Sequence, residues 1–332
     1  MSGLGSLRSP LAPLITDFVT LKRALGRQFD GELRVLADLD RFLAKRQEHT
    51  VQLSPSAFAA WCLTLKHLSP NTRRGRMRIV RALCVYASRH APCFFVPDPA
   101  GFPVPRPPRP PHIFSEQEIV SVLRATDALR PSSTSPLCGP VYRLAVVLLY
   151  TAGLRRGELV RLVISDYDSA ERTLLVRVSK FHKSRLVALS DDAVREMERY
   201  LCARRRLPHD EGAPLLVSRH GGLRARSGAG LGAGLCRLFR QAGVVSASSG
   251  RPPRVHDLRH THAVHALLRW YRAGVDVQAK LPALAISMGH VSIASTAYYL
   301  SLLEPVAQAA SELFAARCEA LLLPDKQQGA ER

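Results

Sequence analysis

Apolar residues recur with helical spacing over most of the N-terminal hundred residues. Four helices are predicted there, at 11–29, 31–48, 54–67 and 70–89. The last two open with Ser54-Pro55 and Ser69-Pro70, in which Ser caps the helix and Pro takes the first helical position. The N-terminal part of the chain is therefore predicted to be a small helical bundle.

A proline-rich stretch, PDPAGFPVPRPPRPP at 97–111, follows this bundle. Proline lacks a backbone donor and has a fixed φ, so the stretch cannot form a helix or a central strand and should be extended and semi-rigid. We place the domain boundary here. The predicted organisation is a helical domain at 1–96, a linker at 97–112 and a second domain at 113–332.

The second domain combines helices with a little β-structure. Ser115 and Glu118 have the spacing of a capping box, and the segment from Val141 to Tyr150 is apolar nearly all round, as a buried helix should be. β-rich segments at 173–178 and 186–189 predict a hairpin, with a short third strand near 215–217. Further helices are predicted at 256–272 and 304–322. The fold class is thus mainly α with a small antiparallel β-sheet (α+β).

The charge of the chain changes the picture, because a formal net charge of +20 far exceeds what solubility requires. Nucleic acid is the leading partner, with an anionic membrane surface and plain compositional bias as the alternatives. Seven cysteines without paired spacing argue for a reducing cell compartment and against a disulfide framework. There is no signal-peptide pattern and no apolar run of membrane-spanning length, which predicts a cytoplasmic protein that does not enter membranes and associates with the nucleoid when bound to DNA.

The fourth predicted helix carries a cluster of basic residues that suits a DNA backbone. They surround an apolar stripe that includes Val80 and Leu83, and a solvated helix surface is the alternative interpretation. The predicted DNA-binding residues are Arg73, Arg74, Arg76, Arg78 and Arg81.

Two segments of the second domain carry candidate chemistry in turns. In TAGLRRGEL at 151–159, a buried helix ends at Gly153, and Arg155 stands at the turn into the next short helix with its guanidinium free to bind two phosphate oxygens. An Arg that caps helix carbonyls, with Glu158 as a surface partner, explains this pattern equally well.

In VSKFHKSR at 178–185, Lys180 and Lys183 are two of only seven lysines. A site that needs a proton donor cannot use Arg, which is a physical reason to keep Lys there, although a solvated turn is the alternative.

Three histidines fall in the segment HDLRHTH at 256–262. His256 and Arg259 are three residues apart on a helix, so an imidazole and a guanidinium can meet the same phosphate. A zinc site with His260 and His262 is an alternative, but no cysteine cluster or second histidine cluster lies at zinc-like spacing.

The segment SMGHVSIASTAYYL at 287–300 places His290 after a glycine that ends a helix, with Tyr298 and Tyr299 eight and nine residues later. Adjacent tyrosines on an amphipathic segment are more often one packed and one exposed than catalytic. By themselves these residues carry little weight.

Together these segments resemble the catalytic domain of the tyrosine recombinase (phage integrase) family in their order and approximate spacing. The resemblance covers roughly 113–320, and the helical segment at 11–95 is similar to the core-binding domain of the family. It implies that Arg155 and Arg259 bind the scissile phosphate, that Tyr299 is the nucleophile and that Glu158 supports the first arginine. The remaining implied catalytic residues are the hairpin lysine Lys180 and the two histidines His256 and His290. Met288 and Leu300-Ser301 depart from the commonest pattern and resemble transposon-borne relatives.

The resemblance implies a site-specific recombinase that integrates, excises or resolves a mobile element through a 3′-phosphotyrosine. The arginines would stabilise the charge on the phosphate without a metal or any other cofactor, His256 would accept the proton of Tyr299, and Lys180 would protonate the leaving 5′-oxygen. Double-stranded DNA as the partner and a homo-tetramer on two DNA sites are implied as well. A relaxing enzyme resembling type IB topoisomerases and a non-catalytic DNA-binding accessory protein with the same fold stay as alternatives.

Overall fold

The computed structural model divides the chain into two compact units, residues 1–108 and residues 109–332. The division falls within the predicted linker. The residues that the structure describes are 7–47, 50–107, 109–133, 135–177, 184–205, 207, 212–218, 224–289, 292, 294–301 and 311.

The first unit is a helical bundle, as the apolar pattern predicts. Its helices are α1 (Ala12–Ala24), α2 (Asp30–Lys45), α3 (Pro55–Thr64) and α4 (Pro70–Ser88). Ser54 accepts a hydrogen bond from the backbone N–H of Ala57, and Ser69 from that of Thr72, so both predicted caps are confirmed. The core is built around Trp61, which is fully buried.

The proline-rich segment packs onto this helical bundle over part of its length. Phe102 is only 5% exposed and belongs to the apolar core of the unit. The side chain of Asn71 accepts a hydrogen bond from the backbone N–H of Arg106 at 2.7 Å. Between 97 and 107 the structure has only a 3-10 turn at Pro99–Gly101, because proline disfavours longer helices and strands.

The second unit is mostly helical. Its helices are α5 (Glu116–Asp127), α6 (Cys138–Thr151), α7 (Arg156–Leu159), α8 (Asp191–Arg204), α9 (Gly228–Gln241), α10 (Asp257–Arg272), α11 (Val277–Met288) and α12 (Ala294–Ser301). The capping box of Ser115 and Glu118 is confirmed at the start of α5. Helix α6 runs through the core with nearly every apolar side chain buried, which confirms the prediction from its sequence. The predicted helix at 304–322 lies outside the described residues except for position 311.

The β-structure consists of two small antiparallel sheets. Strands β1 (Tyr167–Asp168), β2 (Thr173–Val176) and β3 (Arg185–Ala188) form the first, in the order β1-β2-β3, and Leu174 pairs with both Tyr167 and Val187. This confirms the predicted hairpin and the α+β class. The strand predicted near 215–217 pairs elsewhere, because β4 (Val217–Ser218) joins β5 (Arg224–Ala225) in the second sheet.

Candidate active site

The turn after α6 places Arg155. Gly153 has a φ of +59°, and a Cβ on it would lie 2.6 Å from Cδ2 of His262 on α10, so this position requires glycine. The Nδ1–H of His262 donates to the carbonyl of Tyr150 at 2.9 Å, which ties α10 to the end of α6. Arg155 follows as the residue that precedes α7, with its side chain 26% exposed.

Glu158 is a buried carboxylate that binds two arginines. It accepts from Nη1 of Arg155 at 2.7 Å and from Nη2 of Arg185 at 2.8 Å, and also from the backbone N–H of Arg155. Burial by itself raises the pKa of Glu158, but the hydrogen bonds from Arg185 and from the backbone of Arg155 outweigh it and bring the pKa to about 2. The expectation of a surface partner for Arg155 is therefore wrong, since the Glu158 side chain is only 2% exposed.

Three consecutive carbonyl groups at the end of α11 each accept a hydrogen bond from a different arginine. The pairs are Ser287 O with Arg185 Nε at 2.8 Å, Met288 O with Arg259 Nη2 at 2.5 Å, and Gly289 O with Arg155 Nη2 at 2.8 Å. The last carbonyls of a helix lack partners within it, so cations bind them well. Arg155 thus does cap a carbonyl at a helix end, that of Gly289 directly after α11, more than a hundred residues away in the sequence.

Arg259 is almost fully buried on α10, at 1% exposure. A second hydrogen bond runs from its Nη1 to the carbonyl of Gly153, so one guanidinium joins the turn after α6 to the end of α11. Burial, and then the positive charge of Arg155, lower its pKa to about 10, which still leaves Arg259 charged at neutral pH. Arg155 and Arg259 each use two of the five N–H groups of a guanidinium in these bonds.

Tyr299 lies on α12 beside α10. Its phenolic oxygen is 3.0 Å from Nδ1 of His260, and the side chain is 3% exposed, whereas Tyr298 is 43% exposed. Burial raises the pKa of Tyr299, while the positive charges of Arg259 and Arg155 act in the opposite direction. The phenol is therefore within the electrostatic reach of both arginines.

The rings of His256, just before α10, and His260, in its first turn, meet edge-on with their centroids 4.7 Å apart. His256 is exposed at the start of the helix, and His260 is partly buried next to Tyr299. Burial, and then the neighbouring His256, lower the pKa of His260 to about 4, so its ring is neutral at neutral pH.

Two of these histidines make the stability of the fold pH-dependent. His260 and His262 have pKa values of about 4, chiefly because of burial, against an ordinary value of 6.5. Their contribution to the free energy of unfolding is complete above pH 6.5 and is lost as the pH falls towards 4. Over this interval the histidines of the unfolded chain take up protons, whereas the buried rings of the folded chain stay neutral. We expect each ring to cost about 1 to 2 kcal/mol at about pH 5, measured as a lower urea midpoint than at about pH 7.5. Replacing His262 by Gln should flatten this slope, and equal slopes in both proteins would contradict the assignment.

The structure brings together most of the residues predicted from the sequence. Arg155 and Arg259 converge with Glu158 at the end of α11, while Tyr299 and His256 both contact His260, the residue that follows Arg259 on α10. Lys180 and His290 lie outside the described residues, so their predicted roles stay predictions. Within the described part of the chain, no cluster of three His, Cys, Asp or Glu side chains could hold a metal ion.

The basic residues of α4 are partly used within the first unit. Arg74 donates to the carbonyl of Pro103 at 3.1 Å and Arg81 to that of Pro97 at 3.0 Å, so both hold the proline-rich segment. Arg76 lies 3.5 Å from Asp38, Arg73 is partly buried, and Arg78 is exposed. Three of the five guanidinium groups on α4, those of Arg74, Arg76 and Arg81, therefore have partners within the first unit, namely two backbone carbonyls and a carboxylate. Contact of the five arginines with DNA stays a prediction.

Residues 114–304 match the model of the phage integrase family. The chain belongs to the phage integrase family. One relative, the putative integrase/recombinase y4rE of Sinorhizobium fredii, is 31% identical over 294 residues, which cover 88% of this chain and 91% of the relative. Tyrosine recombinase XerD of Mycobacterium tuberculosis is 31% identical over 215 residues, 58% of this chain and 59% of the relative.

Solved structures of the family have the same fold. The Tn1549 transposon integrase in complex with transposon right end DNA superposes with a TM-score of 0.62 at 18% identity, over 93% of this chain and 100% of that one. The XerH site-specific recombinase bound to palindromic difH substrate gives a TM-score of 0.59 at 18% identity, over 85% of this chain and 78% of that one. No helix in the described part of the chain has the length and apolar character needed to cross a bilayer.

Sequence reasoning missed two residues of the site. From the sequence, His260 is interpreted only as a zinc ligand, although its spacing of four residues from His256 is a signal that both rings lie on one face of the helix. Arg185 carries no such signal in a chain with 47 basic residues. Its contacts with Glu158 and the end of α11 are visible only in the fold.

Proposed function

We propose that the chain is a site-specific DNA recombinase that cleaves and rejoins DNA through a 3′-phosphotyrosine on Tyr299. The observation that carries the proposal is the convergence of Arg155 and Arg259 at the end of α11, within electrostatic reach of the buried phenol of Tyr299. The membership of the family supports it, and the relatives XerD and XerH are named as recombinases.

In the proposed reaction, the two arginines stabilise the negative charge that gathers on the non-bridging oxygens of the attacked phosphate. Each guanidinium keeps N–H groups beyond those bonded to backbone carbonyls and to Glu158, and preorganised donors of this kind are the main source of stabilisation at such sites. We assign Lys180 as the acid for the 5′-oxygen and His290 as a further donor by resemblance to the family. The phosphotyrosine ester retains the energy of the phosphodiester, so a second 5′-hydroxyl can reverse the step without ATP.

The proposed partner is double-stranded DNA, and the net charge of +20 supports it. The solved structures of the Tn1549 integrase and of XerH are complexes with DNA, which supports the same partner for this chain. We further propose that unit 1 is a DNA-binding domain, that unit 2 is the catalytic domain, and that strand exchange requires a homo-tetramer on two DNA sites.

The test is covalent trapping on a pool of nicked duplexes whose arms are randomised, because the target sequence is not given by the residues. Cleavage next to the nick releases a short fragment and leaves the protein attached to the DNA. We expect a DNA–protein adduct that survives detergent, that forms in EDTA, and whose digested peptide carries the nucleotide on a tyrosine. Failure to form any adduct over the whole pool would contradict the proposal and favour a non-catalytic accessory protein.

The recovered sequences distinguish recombination from relaxation. A recombinase should enrich a defined site and exchange strands between two duplexes that carry it. A relaxing enzyme should form adducts on almost any sequence and relax a supercoiled plasmid as a monomer.

A further inference from the structure

The immediate environment of the Tyr299 phenol contains an imidazole that sequence reasoning did not assign to it. Nδ1 of His260 lies 3.0 Å from the phenolic oxygen, and the ring centroids of the two residues are 5.5 Å apart. This is a hydrogen bond of ordinary length, between a buried hydroxyl and a partly buried ring.

His256, the acceptor expected from the resemblance, occupies a different place. It precedes α10 and is exposed, and its ring contacts the ring of His260 edge-on at 4.7 Å. An exposed imidazole at the start of a helix is suited to contact a phosphate from outside. His260 is one turn further along the helix and contacts the phenol itself.

We propose that His260 accepts the proton of Tyr299 as the phenol attacks DNA, and returns that proton when the strand is rejoined. This inference rests on the proposed function and names a further catalytic residue within it. In this assignment His256 contacts the phosphate and does not accept the phenolic proton.

The protonation states of the pair agree with this assignment. The pKa of Tyr299 is raised by burial, so its hydroxyl is protonated at neutral pH, and the pKa of His260 is lowered to about 4 by burial and by His256. The phenol is therefore the donor and Nδ1 of the neutral ring is the acceptor, with the ring proton on Nε2. A carbonyl holds His262 in the opposite tautomer, with the proton on Nδ1.

The proposed step balances in atoms and charge. The phenolic oxygen forms a bond to phosphorus, the bond from phosphorus to the 5′-oxygen breaks, and the phenolic proton moves to Nδ1 of His260. The leaving 5′-oxygen takes a proton from a separate acid. A ring with so low a pKa is a weak base at rest, but attack shifts negative charge onto phosphate oxygens nearby, and this charge favours the imidazolium as it forms. Rejoining reverses every transfer.

The experiment uses the full-length protein, the site recovered by trapping, and two nicked substrates. One has the natural 5′-oxygen at the cleaved bond, and the other has sulfur in its place, which leaves as a thiolate without a proton donor. His260→Asn retains a hydrogen-bond acceptor near the position of Nδ1 but cannot take a proton, and His260→Ala removes both functions. The matched control is His265→Asn, because His265 is on the same helix and its Nδ1 is also 3.0 Å from a tyrosine hydroxyl, that of Tyr150, outside the site.

We expect both His260 variants to form the adduct about a hundredfold more slowly than the wild type on either substrate, and His265→Asn to react at the wild-type rate. Three other outcomes would overturn the inference. If His260→Asn reacts at the wild-type rate while His260→Ala is slow, His260 only positions the phenol. If both variants are slow on the oxygen substrate but recover on the sulfur substrate, His260 is the acid for the leaving group. If both variants react at the wild-type rate, His260 has no part in the step. In all three the wild-type adduct still forms, so the proposed function stands, whereas its absence in the wild type would contradict the proposed function itself. Urea unfolding of each variant shows whether a slow rate comes from a damaged fold.

Discussion

Tyr299→Phe is expected to abolish the covalent adduct with DNA completely, because it removes the only atom of this side chain that can attack phosphorus. The ring of Phe fills the same space against His260, so we expect the fold to survive, with a loss of stability of about 1 kcal/mol from the missing hydrogen bond. The measurement is the yield of adduct on a nicked duplex, read on a denaturing gel. DNA binding, measured by a gel-shift assay, should be unchanged.

The adjacent tyrosine provides the matched control. Tyr298→Phe deletes the same hydroxyl one position earlier, from a side chain that is 43% exposed rather than 3% exposed. Burial by itself does not identify a nucleophile, but the Tyr299 hydroxyl also has a hydrogen bond to His260, and the charge of Arg259 acts on its pKa. Tyr298→Phe should therefore retain adduct formation near the wild-type level. If it loses the adduct while Tyr299→Phe retains it, the alignment of this segment with the family is displaced by one residue.

Local signals made much of the fold predictable. Ser54, Ser69 and the pair of Ser115 and Glu118 mark helix starts because a side-chain oxygen must satisfy backbone N–H groups that the helix leaves free. The hairpin was predictable from β-rich segments on both sides of a polar turn. These features depend on residues close together in the sequence, so the sequence is sufficient to find them.

The arrangement of the site was predictable only in part, since much of it depends on backbone atoms. Arg155 binds the carbonyl of Gly289 and Arg259 that of Met288, and a carbonyl has no signature in the sequence. The same holds for Arg185, whose Nε bonds the carbonyl of Ser287. The resemblance to the family indicated which residues belong together, whereas their partners follow from how α11 ends.

The end of α11 is consequently part of the proposed active site, which it joins through backbone carbonyls. A Cβ at Gly289, whose φ is +66°, would lie 2.8 Å from Nη1 of Arg185 and 3.3 Å from Nη1 of Arg155. Glycine at this position allows the left-handed helix end and also the close approach of two guanidinium groups. The conformation of Gly289 and the positions of Arg155 and Arg185 are thereby coupled.

Glu158→Gln is expected to lower the free energy of unfolding of the second unit by about 3 to 5 kcal/mol, because it removes a buried charge that pairs with the buried Arg185 and the partly exposed Arg155. The Arg185 and Glu158 side chains are only 8% and 2% exposed, so water cannot replace the carboxylate easily. Thermal unfolding should show a melting temperature lower by roughly 10 °C. Adduct formation should fall steeply as well, since Arg155 loses the partner that orients it.

Glu196→Gln is the matched control, because Glu196 also binds an arginine through two short hydrogen bonds, from Nε and Nη2 of Arg143 at 2.8 and 2.7 Å. Its side chain is 20% exposed and lies outside the site, so we expect a loss of about 1 kcal/mol or less and normal adduct formation.

The pH dependence of the stabilisation by Glu158 gives a second check. The pKa of Glu158 is lowered from 4.5 to about 2, so its stabilisation is complete above pH 4.5 and is lost as the pH falls towards 2. The difference in stability between wild type and Glu158→Gln should therefore shrink over that interval, and a difference that stays constant would mean that the carboxylate charge does not hold these arginines in place.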